Sequence, residues 1–424
     1  MIAPMPSSRS VTMSQVALAI VALLAVTIPS ENGVSIPGVG SLSRLVGFAA
    51  IAMTLMSLFD RGRLRFRAPS LFLVTAALFV AWSAATYFWS IAPTTSLSRT
   101  VQYAQLFALA WMIHQLARTD RQRDLLLQAF VIGAYVMIAV AVAAYFGSSR
   151  IGYRDVGFPA NSFAIVAALT IPMAWSLVIR RPVPFLHLLN VAYPLFALLA
   201  VVLAASRGGL LTAVAALTII PLTLLNVGVA LRTALLVAVC AFGVVGVAWL
   251  PSVAPDLERN LERLGRVDED LLEGTMTGRT QIWDAGFQVF ASSPVIGIGS
   301  GGFNQAVEPL LGSARSAHNA FLSVAVTSGL IGVFLFGAMF VIVLVGAVRQ
   351  KERRVEHLVL LMALVVASMP ANAENAKHLW FVLAILASAR PVTVTIADTP
   401  ADRRLGSPRH TATSASRPTL GRTV

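Results

Sequence analysis

Charge is what this sequence has least of. Only 12% of its 424 residues are charged, about half the share of a typical soluble domain, while 57% are hydrophobic. This excludes a soluble enzyme, a secreted disulfide scaffold and a nucleic-acid-binding protein. A single cysteine, Cys240, cannot form an intrachain disulfide, and the six histidines have no HxxxH spacing, so a structural metal site is not expected. The composition predicts an all-α polytopic membrane protein.

Apolar runs of about 20 residues, the length of a helix that crosses a hydrocarbon core, recur along the chain. They predict about twelve transmembrane helices. The expected spans lie near residues 12–29, 43–59, 70–89, 100–117, 125–147, 161–179, 186–205, 208–226, 233–250, 318–348, 357–370 and 378–389. The tenth is long enough to tilt or to begin outside the bilayer, and the last two are short.

The net charge of +13 reflects membrane topology in this interpretation. If the N-terminus is cytoplasmic, about two thirds of the 32 Lys and Arg fall in cytoplasmic segments, as the positive-inside rule requires. Both termini are therefore expected in the cytoplasm. We expect spans 1–9 in residues 1–250, an extracytoplasmic loop domain in 251–317, spans 10–12 in 318–395 and a disordered tail in 396–424.

The expected loop at 251–317 is the one large polar segment, and it carries nine of the 19 acidic residues. In its middle, RTQIWDAGFQVF places Ile282, Gly286 and Phe290 on one helical face, which predicts an amphipathic helix over the membrane mouth. Glycines at 297, 299, 301 and 302 then predict a tight turn where backbone can approach a ligand. Loops of this length are usually functional.

Two arginines and a histidine stand beside this loop. Arg207 precedes two glycines after the seventh span, Arg279 begins the loop helix, and His318 lies where the chain re-enters the membrane. Arginine forks suit phosphate oxygens, and histidine can take a proton near neutral pH. The trio predicts displacement of a pyrophosphate-linked group from a lipid carrier, with histidine activating an acceptor hydroxyl. The alternatives are an Arg207 that reaches lipid headgroups, a solvated Arg279 and a structural His318.

Two other patterns have simpler explanations. Asp268, Glu269 and Asp270 satisfy the D-x-D pattern of metal-dependent sugar transferases, but they lie in an acidic stretch that reads as a solvated face. The sequence FDRGRLR at 59–65 is similar to a loop signature of major-facilitator transporters. Met56 occupies the place where that signature has a glycine, and positive-inside charge explains the arginines.

Several ordered motifs between about 90 and 335 resemble the O-antigen ligase/polymerase superfamily of bacterial inner-membrane proteins. The ligase motif, His-Asn, nine residues and G-x-x-G, is matched from His318 to Gly332. SRGG at 206–209 and GRTQIWDAGFQVFASSPVIGIGSGGF at 278–303 resemble two further family blocks, and FWSIAPTTSLSR at 88–99 and RDVGFPANSFA at 154–164 also look like family segments. After Gly332 the chain reads Val-Phe where some ligases continue Thr-Gly.

The resemblance implies a twelve-span fold and an inverting transfer without a metal or other cofactor from an undecaprenyl-diphosphate-linked glycan donor. By carry-over, Arg207 and Arg279 would hold the diphosphate and His318 would be the base or its partner. Arg154, Asn161 and Asn319 are the further substrate-binding candidates.

These observations lead to the hypothesis of an O-antigen ligase-type glycosyltransferase in the bacterial inner membrane, surrounded by membrane lipid. It would move a glycan onto a sugar hydroxyl of lipid A-core at the periplasmic face, in lipopolysaccharide biosynthesis. A polysaccharide polymerase that uses the same donor is the alternative within the enzyme class. A secondary transporter with twelve spans is a second alternative, but we find neither two similar halves nor acids within the spans for ion coupling.

Overall fold

The computed structural model describes residues 12–389 except 32–34, 37–39, 61–62, 65, 148–157, 182–183, 205, 225–227 and 250–278. Its first ten helices are α1 Met13–Thr27, α2 Leu42–Leu58, α3 Leu71–Ala85, α4 Pro93–Leu116, α5 Asp120–Gly147, α6 Ala160–Arg180, α7 His187–Ala204, α8 Arg207–Leu217, α9 Ile219–Thr223 and α10 Val229–Trp249. The others are α11 Arg279–Ser292, α12 Phe303–Leu311, α13 Ala320–Arg349, α14 Arg354–Ser368 and α15 Lys377–Ser388. Short 3-10 turns cover Thr86–Trp89, Pro184–Leu186 and Ala373–Asn375.

Four two-residue strands complete the described structure. β1 (Ser35–Ile36) pairs with β2 (Gly40–Ser41), and β3 (Phe59–Asp60) pairs with β4 (Arg63–Leu64), both antiparallel. Each pair is a tight hairpin beside an end of α2, so these strands are turns of the chain between helices rather than a sheet layer.

Each of the twelve predicted apolar segments is helical. Local signals explain several of the boundaries: Thr12 forms a capping box with Gln15, and Ser70 accepts a hydrogen bond from the amide of Leu73. Within the described part of the chain, five helical segments are long and apolar enough to cross a membrane: Leu71–Trp89, Asp120–Ala144, Ala160–Arg180, Pro184–Ala204 and Ala320–Arg349. The chain is therefore a helical protein with helices suited to a membrane, and the count of twelve spans stays a prediction.

The last two predicted spans are short. Helix α15 corresponds to the twelfth span, and its packing explains why a short helix is sufficient there. Its residues from Leu379 to Leu386 are almost fully buried among α4, α13 and α14. The Trp380 ring lies 6.4 Å from Phe79 and 6.5 Å from Tyr103, measured between ring centroids. A helix enclosed by other helices can be short because its neighbours, rather than its own length, provide the apolar surroundings.

The long helix α13 is interrupted at Gly329, which has φ 65° and ψ −169°. The backbone groups that the break leaves without helical partners pair with the Pro294–Gly299 segment. Leu330 N–H donates to the carbonyl of Pro294 at 2.8 Å, and Gly299 N–H donates to the carbonyl of Thr327 at 3.0 Å. A break inside an apolar helix is tolerated where another segment satisfies the freed backbone groups.

The end of the bundle opposite the candidate site is held by ion pairs among buried or half-buried side chains and the exposed Asp120. Arg180, at the end of α6, lies 3.1 Å from Asp124 and 3.5 Å from Glu356, measured from nitrogen to oxygen. Arg353 lies 2.7 Å from Asp120. These pairs tie the start of α5 to the end of α6 and the start of α14, and removing one partner would leave a buried charge uncompensated.

Candidate functional site

Arg207 is the first residue of α8, and its position is set by the residues around it. Ser206 caps the helix, accepting a hydrogen bond from Gly209 N–H at 3.0 Å. A Cβ atom at Gly208 would lie 2.6 Å from Asn161 Oδ1, and one at Gly209 would overlap the Ala164 side chain. The two glycines after Arg207 therefore allow α8 to pack closely on α6, so the close approach that their smallness predicted is made by the chain itself.

Asn161 joins three segments beside Arg207. Its amide nitrogen donates to the carbonyl of Pro370 at 2.6 Å, and its amide oxygen accepts from the Ser206 hydroxyl at 2.8 Å. Both ends of the side chain are thus used within the protein. The geometry favours a residue that positions the start of α8 over one that itself contacts substrate.

Arg279 is the first residue of α11, as the sequence predicts, and the helix covers Arg279–Ser292. Ile282, Ala285 and Gly286 are its buried residues, and they pack with Phe303 and Leu322 in a small apolar cluster separate from the main core. The Trp283 indole donates to the carbonyl of Ala317 at 2.9 Å. Helix α11 is thereby attached to the turn that precedes α13.

His318 occupies this turn with a positive φ of 47°, a conformation in which histidine is enriched over most other residues. Its Nε2 atom lies 3.3 Å from the Ser316 hydroxyl. The next residue, Asn319, caps α13, because its amide oxygen accepts from Phe321 N–H at 3.0 Å and Leu322 N–H at 3.1 Å. His318 is therefore held at a helix N-terminus by a rigid turn, and the amide oxygen of Asn319 is engaged in the cap.

Electrostatic coupling links the three candidate side chains. Burial lowers the pKa of the Arg279 guanidinium, and repulsion by Arg207 lowers this pKa further. Partial burial also lowers the pKa of the His318 imidazole, and repulsion by Arg279 acts in the same direction. Such repulsion is appreciable only within about a Debye length, roughly 8–10 Å. Arg279 therefore lies within electrostatic range of both Arg207 and His318, which belong to two other segments of the chain.

Two of these residues also share a local setting. Arg207 and Arg279 each begin a helix, of eleven and fourteen residues respectively, so both lie at the positive end of a helix dipole. This concentration of positive charge suits an anion with several oxygens. His318 beside it is uncharged at neutral pH because its pKa is lowered. The arrangement can hold a diphosphate and accept a proton next to it.

Comparison with known proteins finds one family similarity. A family model described as O-Antigen ligase matches residues 192–337, about a third of the chain. This region is similar to the O-antigen ligase family. The match confirms the resemblance to the superfamily, and Arg207, Arg279 and His318 all lie inside the matched region. No curated protein matches the chain.

The glycine turn was predicted to let the backbone approach a ligand, but in the structure other parts of the protein make the close approach. Gly297, Gly299 and Gly301 all have positive φ, but each is closely approached by protein. A Cβ atom at Gly297 would lie 2.6 Å from the backbone of Ser328 and Gly329, and one at Gly301 would lie 3.0 Å from Thr95. The turn thus lets the 294–301 segment lie against α13 and the start of α4.

Some of the residues considered from the sequence lie outside the described residues, and one residue near the site was not considered at all. Arg154 and the acids Asp268, Glu269 and Asp270 lie outside the described residues. Glu374 was not a candidate, yet it is 3% exposed and lines a polar cavity beside the trio. The only signal for it in the sequence is an acid between two apolar helices, which does not indicate which way its side chain points.

Proposed function

We propose that this protein is an O-antigen ligase-type glycosyltransferase, which transfers a glycan from undecaprenyl diphosphate onto a sugar hydroxyl of lipid A-core. The similarity of residues 192–337 to the O-antigen ligase family supports a transferase acting on lipid-linked glycans. The observation that carries the proposal is the position of Arg279, at a helix start and within electrostatic range of both Arg207 and His318. It supports one compact site with both anion-binding and proton-accepting groups.

In the proposed reaction, Arg207 and Arg279 bind the diphosphate of the donor, together with the helix N-termini that they begin. Guanidinium groups offer paired N–H donors that match phosphate oxygens, and their charge stabilises the diphosphate as it leaves. The bond between the sugar anomeric carbon and the phosphate oxygen breaks, and its electron pair stays on undecaprenyl diphosphate. No step of this scheme requires a metal ion, because the two cations neutralise the leaving group.

His318 is the proposed general base. A neutral imidazole accepts the proton of the acceptor hydroxyl as the hydroxyl oxygen attacks the anomeric carbon from the face opposite the diphosphate. Attack from the opposite face inverts the anomeric configuration. The lowered pKa of His318 favours this role, since the ring is uncharged at neutral pH until it receives the proton.

We further propose an inner-membrane protein with twelve spans, both termini in the cytoplasm, and a periplasmic site. The end of the bundle that holds Arg180 and Arg353 would be cytoplasmic under the positive-inside rule. The starts of α6, α8 and α13, with the candidate site, would face the periplasm, together with the expected loop domain 251–317. Surrounding lipid would then give both the prenyl donor and lipid A-core lateral access.

Replacement of each trio residue tests the site. The variants Arg207→Ala, Arg279→Ala and His318→Ala would be expressed in a strain from which the gene has been deleted, and lipopolysaccharide would be resolved by gel. We expect the long-chain bands to be lost while the membrane content of each variant stays normal. The control is Arg315→Ala, which removes an exposed arginine three residues from His318. Normal long-chain lipopolysaccharide in the trio variants would contradict the site.

The same deletion strain separates ligation from polymerisation, which the family match covers equally. Loss of a ligase leaves long polymer attached to the carrier lipid and none on lipid A-core. Loss of a polymerase leaves lipid A-core bearing a single repeat unit. We expect the first pattern, and the second would replace the ligase proposal by a polymerase that uses the same donor.

A further inference from the structure

A polar cavity of about 140 Å³ lies next to the candidate site. Its walls come from the first turns of α4, the start of α12, the turn before α13, the first turns of α13 and the 372–374 segment. The cavity reaches Ser316, whose hydroxyl lies 3.3 Å from His318 Nε2. A single buried water needs only about 10–15 Å³ of such volume, so this cavity can take a much larger polar group.

Glu374 is the most deeply buried charged residue of this cavity, with 3% of its surface exposed. Its Oε1 atom accepts from the Ser323 hydroxyl at 2.7 Å, and its backbone carbonyl accepts from the Trp380 indole at 2.9 Å. The Oε2 atom is buried and has no hydrogen-bond partner within the described part of the chain. The carboxyl is thus anchored on one side and has an unused acceptor on the other.

A second unused acceptor lies in the same wall. The amide oxygen of Asn372 is buried and, among the residues that the structure describes, also lacks a hydrogen-bond donor. Two buried acceptors call for a ligand that brings donors, and hydroxyl groups are the natural ones. Arg99, which also lines the cavity, carries the charge opposite to that of an ionised Glu374, so neither an anion nor a cation suits both residues and a neutral polar ligand does.

The other polar groups suit the same kind of ligand. Arg99 is oriented by a hydrogen bond from its Nη1 atom to Gln102 Oε1 at 3.0 Å. Burial raises the pKa of Glu374 to about 7, although the Ser323 hydrogen bond and the attraction of Arg99 act in the opposite direction. Near neutral pH the carboxyl can therefore accept or donate a hydrogen bond. A sugar hydroxyl, which can also do both, is a better match than a group that can only accept.

We propose that this cavity binds a saccharide unit beside the reacting centre, and that Glu374 is a sugar-binding residue which hydrogen-bonds a hydroxyl through Oε2. The proposal rests on the proposed function, because that function supplies two sugars at this place. One belongs to the acceptor and the other to the transferred glycan. The chemistry of the cavity is the same for both, so the experiment has to distinguish them.

The test compares the purified full-length protein with its Glu374→Gln variant, which has the same shape but exposes an amide in place of the carboxyl. Transfer would be measured with rough lipopolysaccharide as acceptor and the carrier-linked glycan as donor, varying each separately. We expect KM to rise about tenfold or more for the substrate whose sugar occupies the cavity, with a small change in KM for the other. A rise for the acceptor assigns the cavity to the acceptor, and a rise for the donor assigns it to the glycan.

Two further variants guard against a purely structural effect. Glu308→Gln removes an exposed acid from α12 and should leave both KM values and the unfolding temperature unchanged. Ser323→Ala removes the anchor of Glu374 and should raise the same KM as Glu374→Gln, by a smaller factor. If Glu374→Gln leaves both KM values within twofold, or lowers kcat only in proportion to the folded fraction, the saccharide site is wrong.

Direct binding keeps this proposal testable even if transfer is not observed. The probes are the deacylated core oligosaccharide and the repeat-unit oligosaccharide, titrated by calorimetry into wild-type protein and the Glu374→Gln variant. Binding of one probe that weakens about tenfold in the variant supports the site without any turnover. Absence of binding by both probes to the wild-type protein, or equal affinity in the variant, overturns it, whereas loss of transfer with intact binding would count against the proposed function alone.

Discussion

The indole Nε1 atom of Trp283 donates a hydrogen bond of 2.9 Å to the carbonyl oxygen of Ala317. Trp283 lies one turn after Arg279 on α11, and Ala317 is the residue before His318. This bond therefore connects the segment that carries the proposed diphosphate ligand to the turn that carries the proposed base. Since the two segments are otherwise joined by a small apolar cluster, the bond fixes how they are oriented.

Trp283→Phe should weaken transfer without unfolding the protein. Phenylalanine keeps an aromatic ring in the cluster but cannot donate to Ala317. One lost hydrogen bond is worth about 0.5–1.5 kcal/mol, so kcat/KM should fall roughly twofold to tenfold. The control is Phe287→Leu on the same helix, where the ring is 60% exposed and no loss is expected. Equal kcat/KM for wild type and Trp283→Phe would show that this bond does not position the site.

The pH dependence of transfer should report His318. Partial burial and the charge of Arg279 lower its pKa below the ordinary value of about 6.5. The neutral ring is the active form, so kcat/KM should rise as pH increases through this lowered pKa and should level off at a lower pH than it would for an ordinary histidine. Profiles would be measured at low donor concentration, where kcat/KM reflects the free enzyme.

Arg279→Lys provides the check on this assignment. A lysine keeps the positive charge near His318, so the midpoint of the acid limb should stay below 6.5 although the rate falls. Arg279→Gln removes the repulsion and should move the midpoint to higher pH. An acid limb centred above 6.5 in the wild-type protein, or one that does not respond to Arg279→Gln, would mean that another group titrates.

Asn161→Asp should disturb the start of α8. A carboxylate can still accept from the Ser206 hydroxyl, but it cannot donate to the carbonyl of Pro370, and two acceptors would then face each other. We expect a loss of about 1–3 kcal/mol in the free energy of unfolding and reduced transfer, because Arg207 follows directly on Ser206. Thermal unfolding and the transfer assay measure the two effects. Ser162→Ala, one residue further on α6, serves as the control, and a fully active Asn161→Asp would argue against the positioning role.

The sequence was sufficient to predict where the helices lie along the chain, but not which of them contact one another. Long apolar runs predict helices by their composition alone, and all twelve predicted segments are helical. The helix that begins at Arg279 followed from the spacing of Ile282 and Gly286. These features depend on neighbours in the chain, which is why local patterns contain them.

Contacts between distant segments could not be read in the same way. The glycines at 297 and 299 suggested an approach by ligand, but both positions are approached by the chain itself. A Cβ atom at Gly297 would meet the backbone around Gly329, and one at Gly299 would meet Ser90, both distant in the sequence. Glu374 carries no local signal because an acid between two helices is equally compatible with exposure and burial. Its importance depends on Ser323 and the cavity, which only the packing of α13 against the 372–374 segment brings to it.

Helix α13 contains Gly329 at the break and Gly337 beyond it, two glycines at which alanine should have opposite effects on stability. Gly329 has φ 65° and ψ −169°, a region open almost only to glycine, and a Cβ atom there would overlap the carbonyl oxygen of Val295. Gly329→Ala should therefore cost about 1–3 kcal/mol in the free energy of unfolding. It should also displace the Pro294–Gly299 segment that pairs with the break, and with it the nearby helix α11. Transfer should fall by more than the loss of folded protein explains, because Arg279 lies on α11.

Gly337→Ala is the matched control. Gly337 lies two turns further along the same helix, and a Cβ atom there would have nothing within 4 Å. Because alanine is the better helix former, this variant should be as stable as the wild type or slightly more stable, with full activity. Thermal unfolding in detergent and the transfer assay would be measured for both variants side by side. If both alanines are tolerated equally, the break at Gly329 is not required by the fold, and the pairing with Pro294–Gly299 cannot be what holds Arg279 near His318.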